Sequence, residues 1–410
     1  MTIRLSENIG DLTPSATLAI AAKAKEMINR GEDVIDLSAG QPDFPTPPFI
    51  CEAARKAMEK GETGYTPAAG IPPLRKAIAR KLREENGLSY APEQVIVTAG
   101  VKQAIFNALF CLFGRGDEII VPSPYWVSYP ALVSFAGATV RCLETSKETG
   151  FHITASNLEK AVTKRTRGLI LNSPNNPTGS VYPMEELLEI WEFCRDRSIW
   201  IISDEIYEKI IYGGMPFVSP AAVSSDAPRN VVVMNGFSKA FSMMGWRVGY
   251  AAGPLELIRA MESLQSHTTS NTCSISQWGA LAAMEEKERS REVHREMLEE
   301  FTKRRDFILE LAQKEPALSF IDPQGAFYLF FETAGYYGSR LGDHEVKDSV
   351  SLCRYLLEEE GLALVPGEAF GRDDYTRISY AAPLSAIKGG MDRLKRGLNA
   401  LRSSGKPIPK

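Results

Sequence analysis

Between about residues 94 and 253, short apolar runs alternate with stretches in which apolar residues recur at helical spacing. The runs at 95–98, 118–121, 139–142, 168–171, 200–203, 231–234 and 248–251 are too short for helices and are bounded by Gly, Pro, Asn or Ser. Their near-continuous apolar character predicts strands buried on both faces, so the pattern calls for an α/β fold with a mostly parallel seven-stranded sheet covered by helices. Residues 286–313 are rich in Glu, Lys and Arg at helical spacing, which predicts one long half-exposed helix. Beyond it, runs at 318–321, 325–331, 361–365 and 374–379 read as short strands of a smaller α+β lobe.

Polar residues with chemical potential sit where these strands end, the edge at which α/β sheets place ligands. The most informative segment runs from Asn235 to Gly249 and sets Ser238 and Lys239 among small residues, with Arg247 eight positions after the lysine. A partly desolvated lysine can be neutral near physiological pH and so react with an aldehyde, while a hydroxyl, backbone N–H groups and a guanidinium suit a phosphate. An ordinary loop lysine after a strand is the plain alternative. After strand 95–98, the sequence Ala99-Gly100-Val101-Lys102 opens an apolar helix whose free N–H groups could also meet a phosphate. After strand 200–203, Asp204 could be a buried carboxylate or simply the strand's end.

Three separated motifs, Ser173-Pro174-Asn175-Asn176-Pro177-Thr178-Gly179, Ser203-Asp204-Glu205-Ile206-Tyr207 and the lysine segment, stand in the order found in the class I and II aminotransferases, which the chain resembles over nearly its whole length. The resemblance is strongest to bacterial aspartate and aspartate/prephenate aminotransferases. It implies a fold type I transferase dependent on pyridoxal 5'-phosphate, with an arm and part of the small domain in 1–47, a large cofactor-binding domain in 48–290 and a small domain in 291–410. It further implies that Lys239 carries the cofactor and moves the proton, that Asp204 pairs with the pyridine nitrogen, and that Asn176 and Tyr207 donate to the ring oxygen. On the same basis Trp126 stacks on the ring, while Gly100, Val101, Lys102, Ser238 and Arg247 hold the phosphate. Tyr65 would reach the phosphate of an adjacent subunit, giving a homodimer with shared sites.

For the substrates, an amino acid and a 2-oxo acid, the resemblance assigns Arg377 and Gly40 to the α-carboxylate and Lys102, Ser15 and Thr17 to a distal carboxylate. That favours aspartate with 2-oxoglutarate in ping-pong transamination. Pro14-Ser15-Ala16-Thr17 would serve equally as a helix start. Thr13 stands where relatives able to use prephenate often carry lysine, so prephenate, a broader or aromatic specificity and carbon–sulfur lysis stay open as alternatives.

Composition narrows the setting without adding chemistry. The 410 residues are 44% hydrophobic and 24% charged, enough for a large core, and the formal charge of -4 gives no reason to expect nucleic acid or an anionic membrane as partner. The four histidines and six cysteines are scattered without ligand spacing, so reduced thiols and no metal are expected. The opening residues lack the apolar core of a secretory signal, which points to the cytoplasm.

Overall fold

The computed structural model describes Ile3 and residues 16–315 and 318–403. The apolar runs pair as a seven-stranded sheet of β1 (Val95–Thr98), β2 (Glu118–Ser123), β3 (Thr139–Glu144), β4 (Thr166–Asn172), β5 (Trp200–Asp204), β6 (Val231–Gly236) and β7 (Gly249–Ala252). Their order is β1-β7-β6-β5-β4-β2-β3, parallel throughout except for β7, which is antiparallel to both neighbours. The central strands are largely apolar because both faces are covered, whereas the edge strand β3 is mostly exposed and carries Arg141 and Glu144. Val95, Val97, Ile201, Val231 and Val233 enter one core, and Ile96, Ile202, Val232 and Met234 enter another on the opposite face.

A second sheet of β8 (Tyr328–Glu332), β9 (Val365–Pro366) and β10 (Tyr375–Ser379) is antiparallel, in the order β9-β10-β8. Two expectations need correction here. Residues 318–321 form no strand and contribute only an isolated bridge from Phe320 to Phe331. The run 361–365 is divided: Leu362–Ala363 pairs in parallel with Ile35–Asp36, and Val365–Pro366 pairs with β10. Apolar periodicity reports burial, and it is silent about a chain that changes partner within one run. The pairing with Ile35–Asp36 brings residues 35–37 to the second sheet, where Leu37 O accepts a hydrogen bond from Ser379 N at 2.8 Å.

Three helices position the site. α1 (Pro72–Asn86) and α2 (Val101–Leu112) cover the large sheet, and α3 (Lys287–Gln313) is the charged helix anticipated from its composition. α3 buries Met297, Phe301, Arg304, Ile308 and Ala312 on one stripe, and its Val293 packs against the cores of both sheets. Among the described residues, no helix is long and apolar enough to cross a membrane.

The loop that follows β5 is fastened to α1 by a buried ion pair. Lys81 bonds Glu208 and, at 2.8 Å, Asn86, with Lys81 and Glu208 each only 7% exposed. Burial alone would raise the Glu208 pKa, but the charges of Lys81 and Lys209 outweigh it and hold the group at about 2. Removing one partner leaves the other charge buried, so Lys81→Met is expected to lower the unfolding free energy by roughly 3–5 kcal/mol. Denaturant titration checks this, with Arg55→Ala, in an exposed triad with Glu52 and Glu59, as a control that should leave the midpoint unmoved. Because the Glu208 pKa is depressed, the stability it contributes is present above the ordinary carboxylate range and is lost as pH falls toward 2.

Candidate active site

The parallel strands deliver their polar residues to one edge. Gly100 follows β1, Trp126 follows β2, Asn176 follows β4, Asp204 ends β5, and Lys239 follows β6. The ends of β4 and β5 are locked together, since Asn172 Nδ2 donates to Asp204 O at 2.9 Å and Asn176 N donates to Asn172 Oδ1 at 2.9 Å. The Lys239 loop carries two non-glycine residues at positive φ, Ser242 at 51° and Arg247 at 53°. Each costs about 1–3 kcal/mol and needs surrounding contacts to hold it. Thr46 supplies one, donating to Ser242 O at 2.8 Å while accepting from Trp246 Nε1 at 3.0 Å.

Lys239 Nζ donates to Gly40 O and lies 5.8 Å from the ring centres of both Tyr207 and Phe327. Burial, then the charges of Arg377 and Arg247, pulls its pKa down to about 8. Asp204 is buried, accepts from Tyr129 Oη at 2.7 Å and from Ile206 N at 3.3 Å, and sits near enough to Lys239 to feel its charge. Burial lifts the Asp204 pKa to about 6, and the hydrogen bonds limit the rise.

The phosphate-like corner is built from backbone and cations. Gly100 caps α2 with φ of 83°, and a Cβ there would come within 2.5 Å of Arg247 Nη2, so only glycine leaves room for that guanidinium. Arg247 donates to Met244 O at 2.9 Å and Ala99 O at 3.2 Å. The first-turn N–H groups of Val101 and Lys102 have no intrahelical acceptors. Lys102 Nζ lies 5.0 Å from the Trp126 ring centre, and desolvation, then the Arg247 charge, lowers its pKa.

Arg377 on β10 is 2% exposed, yet no carboxylate lies within ion-pair distance of it among the described residues. Its Nη1 donates to Asn176 Oδ1 at 3.0 Å and its Nη2 to Ser38 O at 2.7 Å, Nε has no partner, and the guanidinium lies against the rings of Tyr328 at 4.4 Å and Phe370 at 5.0 Å. Gly40 is beside it, where a Cβ would stand 4.0 Å from Nη2. Tyr207 Oη lies 2.7 Å from Tyr328 Oη.

Of the residues singled out from sequence, Gly40, Asn176, Asp204, Tyr207, Lys239 and Arg377 share direct contacts or close charges, and Gly100, Lys102, Trp126 and Arg247 form an adjoining group. Tyr65 is apart from them within the chain, 94% exposed. Ser15 lies outside the described residues, as does the side chain of Thr17 at the start of the helix Ala16–Asn29. Tyr129, Tyr328, Ser38 and Phe370 were not anticipated. Tyr129 and Ser38 stand within three residues of Trp126 and Gly40, whereas Tyr328 and Phe370 read as ordinary core aromatics.

A neutralisable amine, a buried carboxylate and a glycine-opened helix start beside a guanidinium fit pyridoxal phosphate in each of its functional groups. Known proteins give the same direction. The family described as aminotransferase class I and II matches residues 32–392. The aspartate aminotransferase of Geobacillus stearothermophilus is 44% identical over 97% of this chain and 100% of its own length, and a probable aspartate/prephenate aminotransferase of Aquifex aeolicus is 43% identical over 97% and 99%. The structure of aspartate aminotransferase from Thermus thermophilus with maleate superimposes with a TM-score of 0.91 at 43% identity, over 97% of this chain and 100% of the other. Since the matched span holds every described candidate side chain from Gly40 to Arg377, the chain belongs to the class I and II aminotransferases, close to the bacterial aspartate and aspartate/prephenate enzymes.

Proposed function

We propose that the protein transfers the amino group of L-aspartate to 2-oxoglutarate by a ping-pong reaction, using pyridoxal phosphate on Lys239. The observation that carries this reading is the charge balance of the site. The cations Arg377, Lys239, Arg247 and Lys102 outnumber the carboxylates whose charge reaches them, Asp204 at Lys239 and Asp36 at Arg377, and Arg377 is buried with no carboxylate at ion-pair distance among the described residues. Four cations against two carboxylates suit a phosphate together with a substrate bearing two carboxylates. The maleate in the Thermus relative is a four-carbon dicarboxylate, and the names of the relatives supply prephenate as a second acceptor to test.

When bound, pyridoxal phosphate supplies an aldehyde carbon and a pyridinium able to accept the electron pair left at a substrate α-carbon. The chain supplies the rest. Arg377 grips the α-carboxylate with the fork now facing Asn176 and Ser38, and Lys102 takes the distal one. Asp204 stabilises a proton on the ring nitrogen, Trp126 sets the ring's plane, Asn176 and Tyr207 donate to its oxygen, and Gly100, Val101, Ser238 and Arg247 hold the phosphate. Lys239 Nζ, neutral above about pH 8 before the cofactor binds, takes a proton from the α-carbon and returns it elsewhere. Tyr65, at 94% exposure, is suited to serve the site of a second subunit in a homodimer.

Four outcomes are expected. Apoprotein should gain a visible absorption band with pyridoxal phosphate at a rate that rises through about pH 8, as only the neutral amine attacks. Lys239→Ala should show no such lysine-dependent band and lose turnover by about a hundredfold to ten-thousandfold; near-normal turnover removes Lys239 from its role. Lys102→Ala should lower kcat/KM for aspartate about tenfold to a hundredfold and leave alanine unchanged, the worth of a charge-assisted hydrogen bond. An equal loss for both substrates counts against a dicarboxylate site. Mixing inactive Tyr65→Ala and Lys239→Ala subunits should restore part of the activity once exchange is confirmed by mass spectrometry, and no restoration rejects the shared site.

A further inference from the structure

On β8, Tyr328 is wholly buried and touches three parts of the site at once. Its hydroxyl is 2.7 Å from that of Tyr207, its ring lies 4.4 Å from the Arg377 guanidinium, and a Cβ on Gly40 would approach its hydroxyl to 3.1 Å. The two tyrosine rings meet edge to face, at 84° with centres 5.9 Å apart. The two phenols have one proton each. If Tyr207 directs its proton to the cofactor's ring oxygen, its own oxygen can still accept, and the hydroxyl within reach is that of Tyr328.

We infer that Tyr328 is a positioning residue with two separable parts: its hydroxyl donates to Tyr207 and sharpens that residue's donation to the cofactor oxygen, while its ring supports the carboxylate-gripping face of Arg377. This rests on the function proposed above. A phenol that receives a hydrogen bond becomes the better donor, so the chain Tyr328 to Tyr207 to ring oxygen is stronger than Tyr207 alone. The ring offers a flat, electron-rich face to a guanidinium that lacks a carboxylate partner among the described residues. Phe370 covers the guanidinium as well, at 5.0 Å. Tyr328 therefore links the group that tunes the cofactor to the group that orients the substrate.

Two substitutions separate the parts. Tyr328→Phe keeps the ring and removes the hydroxyl. In the loaded enzyme it is expected to shift the pH midpoint of the visible cofactor band upward, because an oxygen less well served by Tyr207 holds the neighbouring nitrogen's proton more firmly. kcat should fall by about threefold to tenfold, the worth of one buried hydrogen bond, with the aspartate KM nearly unchanged. Tyr328→Leu removes the ring too, and should add a several-fold loss in succinate affinity, read from the perturbation of the same band. A wild-type midpoint in Tyr328→Phe overturns the hydroxyl's role. Equal succinate affinity in the Phe and Leu variants overturns the ring's. The wild-type protein is measured first: if it forms no lysine-dependent band, the proposed function fails, and that result is distinct from either outcome for Tyr328.

Discussion

Placing a guanidinium in the interior without a carboxylate beside it costs several kcal/mol of lost hydration, and the architecture around Arg377 is arranged to offset that loss. The Ser38 carbonyl, an amide from the loop after β4, the Tyr328 ring of the smaller sheet and the Phe370 ring of the turn between β9 and β10 converge on it. None of these groups carries a charge. A resident carboxylate would satisfy Arg377 more fully and would also compete with any acidic ligand. Neutral dipoles keep the cation ordered, and Asp36 offsets its charge only from beyond ion-pair distance, so both sheets and the chain that joins them have to meet at this point.

The same imbalance accounts for the state of the neighbouring groups. Arg377 and Arg247 lower the lysine's affinity for its proton, and burial acts in the same direction. Asp204 is the local counterweight, and its affinity for a proton is raised by burial until Tyr129 and the Ile206 N–H restrain it. A base that gives up its proton readily and an acid that keeps one more readily thus stand close together, with separate causes that mutagenesis can pull apart. The Lys81 and Glu208 pair belongs to this account through position alone, because it fixes the loop bearing Tyr207.

The large sheet was legible because burial on both faces of its central strands leaves nearly continuous apolar runs, and the observed strand ends moved by only a few residues. Site residues near strand ends could be found from motif and spacing together, since residue type at Lys239, Asp204 and Asn176 limits the chemistry. The smaller sheet was harder. Residues 361–365 look like one strand and serve two, and 318–321 look like a strand and make a single bridge. Tyr328 carried no local signal at all. Its meaning comes from what lies across from it, in segments more than a hundred residues away on the β5 side and nearly three hundred on the Gly40 side, and no pattern along one stretch of chain encodes that meeting.

The antiparallel insertion of β7 has a bearing on how the site is assembled in time. β6 and β7 pair as neighbours through Val233 with Ala252, Met234 with Ala251, Asn235 with Tyr250, and Gly236 with Gly249, so the segment bearing Lys239 is the loop of a local hairpin. Glycine at both 236 and 249 permits that closure, since a Cβ at Gly236 would stand 2.9 Å from Gly249 Cα, and one at Gly249 would meet Val101 N at 2.7 Å. Ends so close in sequence meet at small entropic cost, whereas the parallel pairs need long crossovers and β1 must find β7 across some one hundred and fifty residues. The strands that carry the lysine loop are thereby joined by a local pairing, and the residues that give the lysine its chemistry, Gly40 and Arg377 among them, are gathered onto it by the slower, long-range steps of folding.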